Sequence, residues 1–109
     1  MKGLALSRSA SGLLRALLRR IGEDEHRSLL IDIRSTDWQS LTFTGERHVL
    51  TLRFTGDDPA ALACRLTDGI ADAEFQIPGH IVADIAPGPC IAAENGSVLV
   101  TIEALTISC

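Results

Sequence analysis

The chain has 109 residues and a formal net charge of −4, which is the size of one domain with a modest hydrophobic core. It is 46% hydrophobic and 22% charged, a composition that excludes an intrinsically disordered chain. Residues 1–22 hold five basic residues and no acid, whereas residues 23–109 hold all 14 acids and the other five basic residues. Because nucleic-acid-binding surfaces are usually basic, we predict no nucleic-acid partner for this acidic body.

The three cysteines, Cys64, Cys90 and Cys109, are widely and irregularly spaced. They form neither a C-x-x-C pair nor a disulfide framework, and we therefore predict a cytoplasmic protein. No run of about 18 apolar residues, the length that crosses a bilayer, is present. Phosphate-binding, dinucleotide-binding and hydrolase motifs are also missing from the sequence. We predict no metal site and no cofactor, and we favour a non-enzymatic function.

Residues 1–22 are predicted to form a basic amphipathic helix that begins at Ser9 or Ser11 and ends near Gly22. Its apolar residues share one face: Leu13, Leu14, Leu17, Leu18 and Ile21. This face is expected to pack on the protein's own sheet or on a second copy. A helix of this kind also suits peripheral membrane attachment or a transit peptide. A secretory signal is disfavoured, because arginines interrupt the apolar run.

Residues 28–109 read as two hairpins flanking a helix. Strand-like alternation covers 29–34 and 38–44, and Gly45-Glu46 is predicted to form a two-residue hairpin turn before a return strand at 48–54. The helix is predicted to begin at an Asp58 N-cap, with Pro59 in its first position, and to end near Ala73 or earlier at Gly69.

Two further strands complete the predicted body. The first covers 81–86 and must bend or break at Pro87-Gly88-Pro89, because proline cannot donate to a ladder. Asn95-Gly96 predicts a hairpin turn, and the last strand covers 98–107. The sequence therefore predicts a single α+β domain over residues 1–109, an antiparallel sheet of about four strands in the order β-β-α-β-β. One helix packs on a face of this sheet, and the N-terminal helix precedes it.

Alternation assigns the two faces of the predicted sheet. The helix-covered face is expected to hold Leu41, Phe43, Leu50, Leu52, Phe54, Ile81, Ile85, Val98, Val100 and Ile102. The opposite face is predicted to bind a small polar ligand through five side chains: Trp38, His48, Arg53, Asp84 and Glu103. Asp84 and Glu103 have the chemistry of an acid and a base. The simpler interpretation is that antiparallel sheets often present one polar, solvated face.

Apolar residues also occur on the supposedly polar face, at Leu99, Leu105 and Ile107. A sheet that is apolar on both faces needs two covers, and a second subunit is one candidate. Together with the five apolar residues of the N-terminal helix, these three form the predicted interaction surface.

We therefore predict a homodimer, specifically a small cytoplasmic, non-enzymatic, self-associating interaction or regulatory module whose other protein partner is unknown. Two alternatives stay open: a small-ligand-binding protein or enzyme that uses the polar sheet face, and peripheral membrane attachment through the N-terminal helix.

Overall fold

A computed structural model describes residues 6–109 of the chain, which form an α+β fold with two α-helices and four strands. The elements are α1 (Arg8–Ile21), β1 (Ser28–Gln39), β2 (Thr44–Phe54), α2 (Pro59–Thr67), β3 (His80–Ala92) and β4 (Val98–Ser108). Short 3₁₀ segments follow each helix, at Gly22–Arg27 and Ile70–Asp72. The predicted fold class is confirmed.

The strands form one antiparallel sheet in the order β1-β2-β4-β3. Both helices pack on the same face of this sheet and enclose one continuous hydrophobic core. The core joins α1 and α2 to alternate residues of the central strands: Leu13, Leu17, Ile21, Leu62, Leu66, Leu50, Leu52, Phe54, Val98, Val100 and Ile102. The other face carries neither helix.

The N-cap of α1 lies two residues before Ser9 and four before Ser11, the two caps that the sequence indicates. Ser7 is the N-cap, and its hydroxyl accepts a hydrogen bond of 3.1 Å from the amide of Ala10. Gly22 ends the helix with a φ of 76°, a backbone conformation that glycine adopts without a steric penalty. The predicted end is therefore confirmed, and the predicted start is wrong by a few residues.

The helix α2 has the predicted cap, and of its two predicted ends, near Ala73 or earlier at Gly69, the structure shows the earlier one. The Asp58 carboxylate accepts from the amide of Ala61 at 3.3 Å, and Pro59 follows at the first helical position. The helix ends at Thr67, and Gly69 then adopts a φ of 68°. The alternative early end near Gly69 is thus the correct one, because a left-handed glycine reverses the chain there.

Two arginines tie the C-terminal ends of the helices to each other. Arg20 of α1 donates to the carbonyls of Leu66 and Asp68, at 3.1 and 2.8 Å. Arg65 of α2 donates in return to the carbonyl of Ile21, at 2.8 Å, and contacts Asp24 at 3.1 Å. Each cation lies where the last helical carbonyls lack partners and the helix dipole is negative.

The turn between β1 and β2 lies earlier than predicted. It is formed by Ser40–Phe43, with the amide of Ser40 donating to the carbonyl of Phe43 at 2.9 Å. Gly45 instead lies inside β2, opposite Trp38 on β1. A Cβ at Gly45 would overlap the backbone carbonyl of Thr106 on β4. Glycine is therefore needed here for the close approach of two strands and not for a turn.

Three residues predicted to face the helix do not. Leu41 and Phe43 belong to the exposed turn, and Leu41 is 106% exposed. Ile81 lies opposite Ile107 on the uncovered face of the sheet. A register shift between Val82 and Asp84 reverses the alternation along β3, so that Ile85 still faces the core, as predicted.

The strand β3 continues through Pro87-Gly88-Pro89 with a second register shift between Pro87 and Cys90. The prolines are tolerated because β3 is an edge strand, where a missing N–H can face away from the ladder. The turn at Asn95-Gly96 is present, with a φ of 85° at Gly96.

Replacing Gly45 with alanine should lower the free energy of unfolding by more than about 2 kcal/mol, because the new methyl group overlaps backbone and not a mobile side chain. Chemical denaturation measures this change. The neighbouring exposed Thr44→Ala is the control and should change stability by about 0.5 kcal/mol or less. Equal effects of the two substitutions would contradict the close approach of β2 and β4.

Candidate functional site

The residues of the predicted ligand face are not gathered at one place. Trp38 lies opposite Gly45, and Arg53 lies opposite Leu29 and Leu99. Gly45 and Arg53 are eight residues apart on β2, which is about 27 Å along a strand. Trp38 and Arg53 therefore occupy opposite ends of the sheet and cannot hold one small ligand.

Asp84 and Glu103 do come together, at the middle of the uncovered face. They line a shallow cleft of about 160 Å³ with Arg47 and Ala86. Across residues 6–109, neither Asp84 nor Glu103 forms a salt bridge. The structure thus unites the side chains of Asp84 and Glu103 and adds Arg47, which was not among the predicted residues. His48 also lines the cleft, although its ring is buried.

The predicted position of His48 on that face is wrong. His48 is 1% exposed and lies on the helix-covered face, in line with Leu50 and Leu52. The three residues share the same parity along β2, so strict alternation alone places His48 among the core residues. Its polarity suggested the solvated face, but hydroxyl groups from neighbouring elements satisfy the ring in the interior.

The ring of His48 makes three polar contacts inside the protein. Nδ1 lies 2.7 Å from Oγ of Ser35 on β1, and Nε2 lies 2.9 Å from Oγ1 of Thr106 on β4. Oγ of Ser9, on α1, is 3.5 Å from the same Nε2. Buried polar groups are stable when paired in this way, and the histidine links both neighbouring strands to the first turn of α1.

Glu46 makes the second link between the sheet and α1. Its Oε1 accepts a 2.7 Å hydrogen bond from the hydroxyl of Ser7 and a further hydrogen bond from the hydroxyl of Ser9. Ser7 also caps the helix, so one serine serves the helix end and the carboxylate at once. We call Ser7, Ser9, Glu46, His48 and Thr106 the polar anchor.

Burial and hydrogen bonding set the pKa values in the polar anchor. Burial lowers the pKa of His48 below its ordinary 6.5, and the nearby Glu46 carboxylate only partly opposes this. Burial alone would raise the pKa of Glu46, but the hydrogen bonds from Ser9 and Ser7, together with the field of His48, outweigh it. The pKa of Glu46 is therefore held below 4.5.

A polar cleft of about 250 Å³ adjoins the anchor on the helix-covered face. Its lining is entirely polar or glycine: Ser9, Asp37, Thr44, Gly45, Glu46, His80, Thr106 and Ser108. Asp37 and Glu46 lie directly opposite each other on β1 and β2. The cleft can hydrogen-bond small polar groups, but within residues 6–109 no three His, Cys, Asp or Glu side chains are arranged to hold a metal ion.

The uncovered face of the sheet, called the open face below, is the larger candidate site. It exposes large apolar side chains on three of its four strands: Leu29 on β1 by 59%, Val49 on β2 by 41%, and Ile81 and Ile91 on β3 by 57% and 56%. The predicted interaction residues Leu99 and Ile107 lie on it half-buried, and Leu105 is buried there by its neighbours. Strands with apolar residues on both faces are typical of sheets covered on both sides.

The apolar residues of α1 do not form an exposed interaction surface. Leu13, Leu17 and Ile21 are fully buried in the chain's own core, and Leu14 and Leu18 pack against it. The structure therefore corrects this half of the predicted surface in favour of the other interpretation, in which the helix covers the chain's own sheet.

The open face carries charges without partners as well as apolar side chains. In the described part of the chain, the one salt bridge on this face joins Arg34 and Asp32, at 3.3 Å. Arg47 and Arg53 form none, and Nε of Arg53 is buried without a hydrogen bond to any residue from 6 to 109. Buried polar atoms usually have partners, so this atom marks an unsatisfied position beside the apolar groups.

No helix within residues 6–109 is long and apolar enough to cross a membrane. The cysteines are all free and exposed.

Comparison with protein-family models, with curated proteins and with solved structures finds no match for this chain. The open face and the polar anchor are therefore the features that indicate a function.

Most of the polar anchor was not predicted from the sequence, because its members come from two strands and the N-terminal end of a helix. Ser7, Ser9 and Thr106 are ordinary residues in the sequence, and only the fold brings them to Glu46 and His48. The parity of His48 with Leu50 is the one sequence feature that indicates its buried position.

The free energy of unfolding should decrease as the pH falls. A folded pKa below the unfolded value means that the unfolded state binds protons first. The contribution of His48 to the free energy of unfolding is fully present above pH 6.5 and is lost as the pH falls below it. The contribution of Glu46 is lost as the pH falls below 4.5. Urea denaturation between pH 7.5 and 5, at steps of about 0.5, measures the first window.

The variant His48→Gln should flatten the dependence of stability on pH below 6.5, whatever its effect at neutral pH. His26 is exposed and bonds only to backbone, so His26→Gln is the matched control and should retain the wild-type slope. A slope in His48→Gln equal to that of the wild type would show that the buried histidine does not control acid stability.

Ser9→Ala should lower the free energy of unfolding by about 1–2 kcal/mol, because it removes a hydrogen-bond donor to a partly buried carboxylate. It should also raise the pKa of Glu46, which an NMR titration of the side-chain carboxyl measures. Ser11→Ala, two residues further along the helix and half-exposed, is the control. An unchanged Glu46 titration in Ser9→Ala would rule out the proposed link.

Proposed function

We propose that this chain is a small, non-enzymatic, cytoplasmic module that self-associates, and that its open face binds a second copy of the chain. The observation that carries this proposal is the exposure of Leu29, Val49, Ile81 and Ile91 on one face of a sheet whose other face takes both helices. Several large apolar side chains exposed on one face of a sheet are consistent with a protein interaction site. A four-stranded face also has the extent needed for sheet-on-sheet packing.

A second copy is the favoured occupant because the open face carries charges of both signs. Arg47 and Arg53 lie on β2, whereas Glu103 and Asp84 lie on β4 and β3. None of the four forms a salt bridge within residues 6–109. A surface with separated charges of opposite sign can complement itself across a two-fold axis, as the isologous interface of a homodimer requires.

The other two hypotheses have less support. Peripheral membrane attachment needs the leucine face of α1, but Leu13 and Leu17 are buried in the core and Arg20 bonds to the end of α2. Ligand binding on the sheet needs Trp38 and Arg53 together, but the register separates them by the length of the sheet. The cytoplasmic location rests on three free, exposed cysteines, as expected in a reducing compartment.

Val49→Lys should abolish self-association without unfolding the protein. Val49 lies on a central strand of the open face and is already 41% exposed, so the lysine can extend into solvent in the monomer. In a dimer it would place an unpaired charge in an apolar interface. Light scattering should show the wild type as a dimer at micromolar concentration and the variant as a monomer.

Leu41→Lys is the matched control, because it makes the same kind of change at the exposed turn between β1 and β2. It should leave the dimer intact. A wild-type chain that is monomeric at micromolar concentration would refute the proposal, as would equal loss of the dimer in both variants. Far-UV circular dichroism and thermal unfolding verify that each variant is folded.

A further inference from the structure

We propose that two copies pack with their open faces together about a two-fold axis that runs parallel to the strands, so that the β1–β2 half of one copy lies on the β4–β3 half of the other. This inference rests on the proposed self-association and adds to it the orientation of the partner and the residues that set it.

The charges of the open face divide between its halves. The β1–β2 half carries Arg34, Arg47 and Arg53 against one acid, Asp32, and therefore has a net charge of +2. The β4–β3 half carries two acids, Glu103 and Asp84, and no basic residue, and therefore has a net charge of −2. The two halves are equal in magnitude and opposite in sign.

Only one of the two simple face-to-face arrangements brings these halves together. A two-fold axis parallel to the strands, between β2 and β4, places the basic half of each copy on the acidic half of the other. An axis perpendicular to the strands places β1 on β1 and β2 on β2, so that like charges meet, which is unfavourable between close surfaces. The sheet twist then sets a crossing angle of about 30° between the copies.

The apolar residues fit the same arrangement. Leu29 on β1 and Ile91 on β3 belong to one row across the sheet, because both connect to the row through Arg53 and Leu99. An axis parallel to the strands keeps each row on itself and exchanges β1 with β3. Leu29 of one copy therefore lies on Ile91 of the other.

The opposite end of the sheet repeats this pairing. Trp38 on β1 and Ile81 on β3 share the row that passes through Gly45 and Ile107. The same axis places Trp38 of one copy on Ile81 of the other. Apolar contacts thus form at both ends of the interface, where each copy leaves a large side chain exposed or half-buried, and the charges meet between them.

Arg47 and Glu103 are the pair to test. They lie on the two central strands, both side chains are exposed, and they line one cleft without forming a salt bridge. The proposed axis places Arg47 of each copy over Leu105 of the other and diagonally beside Glu103, one row along, and the symmetry makes this contact twice. Either single charge reversal therefore places like charges together at two points of the homodimer.

The experiment uses the full-length variants Arg47→Glu and Glu103→Arg, alone and mixed. Each variant alone should dimerise more weakly by at least about tenfold in dissociation constant. In the mixed dimer, Glu at position 47 meets Arg at position 103 at one contact, and the native Arg47 and Glu103 meet at the other. Equimolar mixing should therefore restore dimers as heterodimers, which native mass spectrometry distinguishes by mass.

The control is the double variant Arg47→Glu with Glu103→Arg in one chain, which should dimerise within about threefold of the wild type. Rescue by the double variant but not by mixing would mean that the two charges act within one chain, and it would overturn the proposed axis. Dimers insensitive to either reversal would overturn it as well. In both cases a monomeric Val49→Lys would leave self-association through the open face standing, whereas a monomeric wild type would remove both proposals.

If Glu103→Arg loses its folded state, Asp84→Arg replaces it in the same mixing experiment. Asp84 lies on the edge strand β3, and β4 separates it from Arg47. A heterodimer of Arg47→Glu with Asp84→Arg that exceeds both homodimers supports the axis, and its absence contradicts it.

Discussion

Both helices of this protein pack on the same face of its sheet, and the remaining features depend on that asymmetry. The apolar stripe of α1 lies beside that of α2 over the central strands and completes one core. The opposite face consequently has no cover from residues 6–109, although its strands carry aliphatic side chains at spacings that usually indicate burial. The sheet thus has a buried core on one face and exposed apolar side chains on the other. This arrangement is the one expected of a chain that associates through its uncovered face.

The position of α1 is held by polar contacts at both ends. At the C-terminal end, Arg20 and Arg65 exchange hydrogen bonds with the last carbonyls of the opposite helices. At the N-terminal end, the hydroxyls of Ser7 and Ser9 bond Glu46, and His48 lies beneath them. Hydrophobic burial is not directional, so these contacts fix the angle and the register of the helix on the sheet. They also account for one of the basic residues, Arg20, in a segment whose charge suggested a membrane.

The sequence predicted the order of the elements, the four antiparallel strands and the packing of a helix on one face. Periodicity and capping residues carry that information locally, as the Asp58 cap and the Gly22 end demonstrate. It did not predict the faces of all strands, because the bulges in β3 depend on pairing with β4 and are not visible in a local pattern.

Gly45 was wrongly assigned to a turn because its role also depends on pairing with another strand. Its φ is not positive, and its small size matters only because Thr106 approaches it from another strand. Alternation predicts the face on which a residue lies, and it placed Leu99 and Ile107 on the open face correctly. It does not give the distance between residues on different strands, so the separation of Trp38 and Arg53 was not predicted. The register of the strands sets the distance between residues on different strands, and register is a property of the whole sheet.

The two prolines of β3 have a consequence for how such a sheet can grow. Edge strands with free amide groups can recruit further strands, and repeated recruitment produces fibres. Pro87 and Pro89 remove two of these donors from one edge of the sheet, and the bulge beside them bends that edge. Extension of the hydrogen-bond ladder from chain to chain is therefore interrupted at β3. The proposed stacking of faces would therefore cover the aliphatic residues without extending the hydrogen-bond ladder at β3.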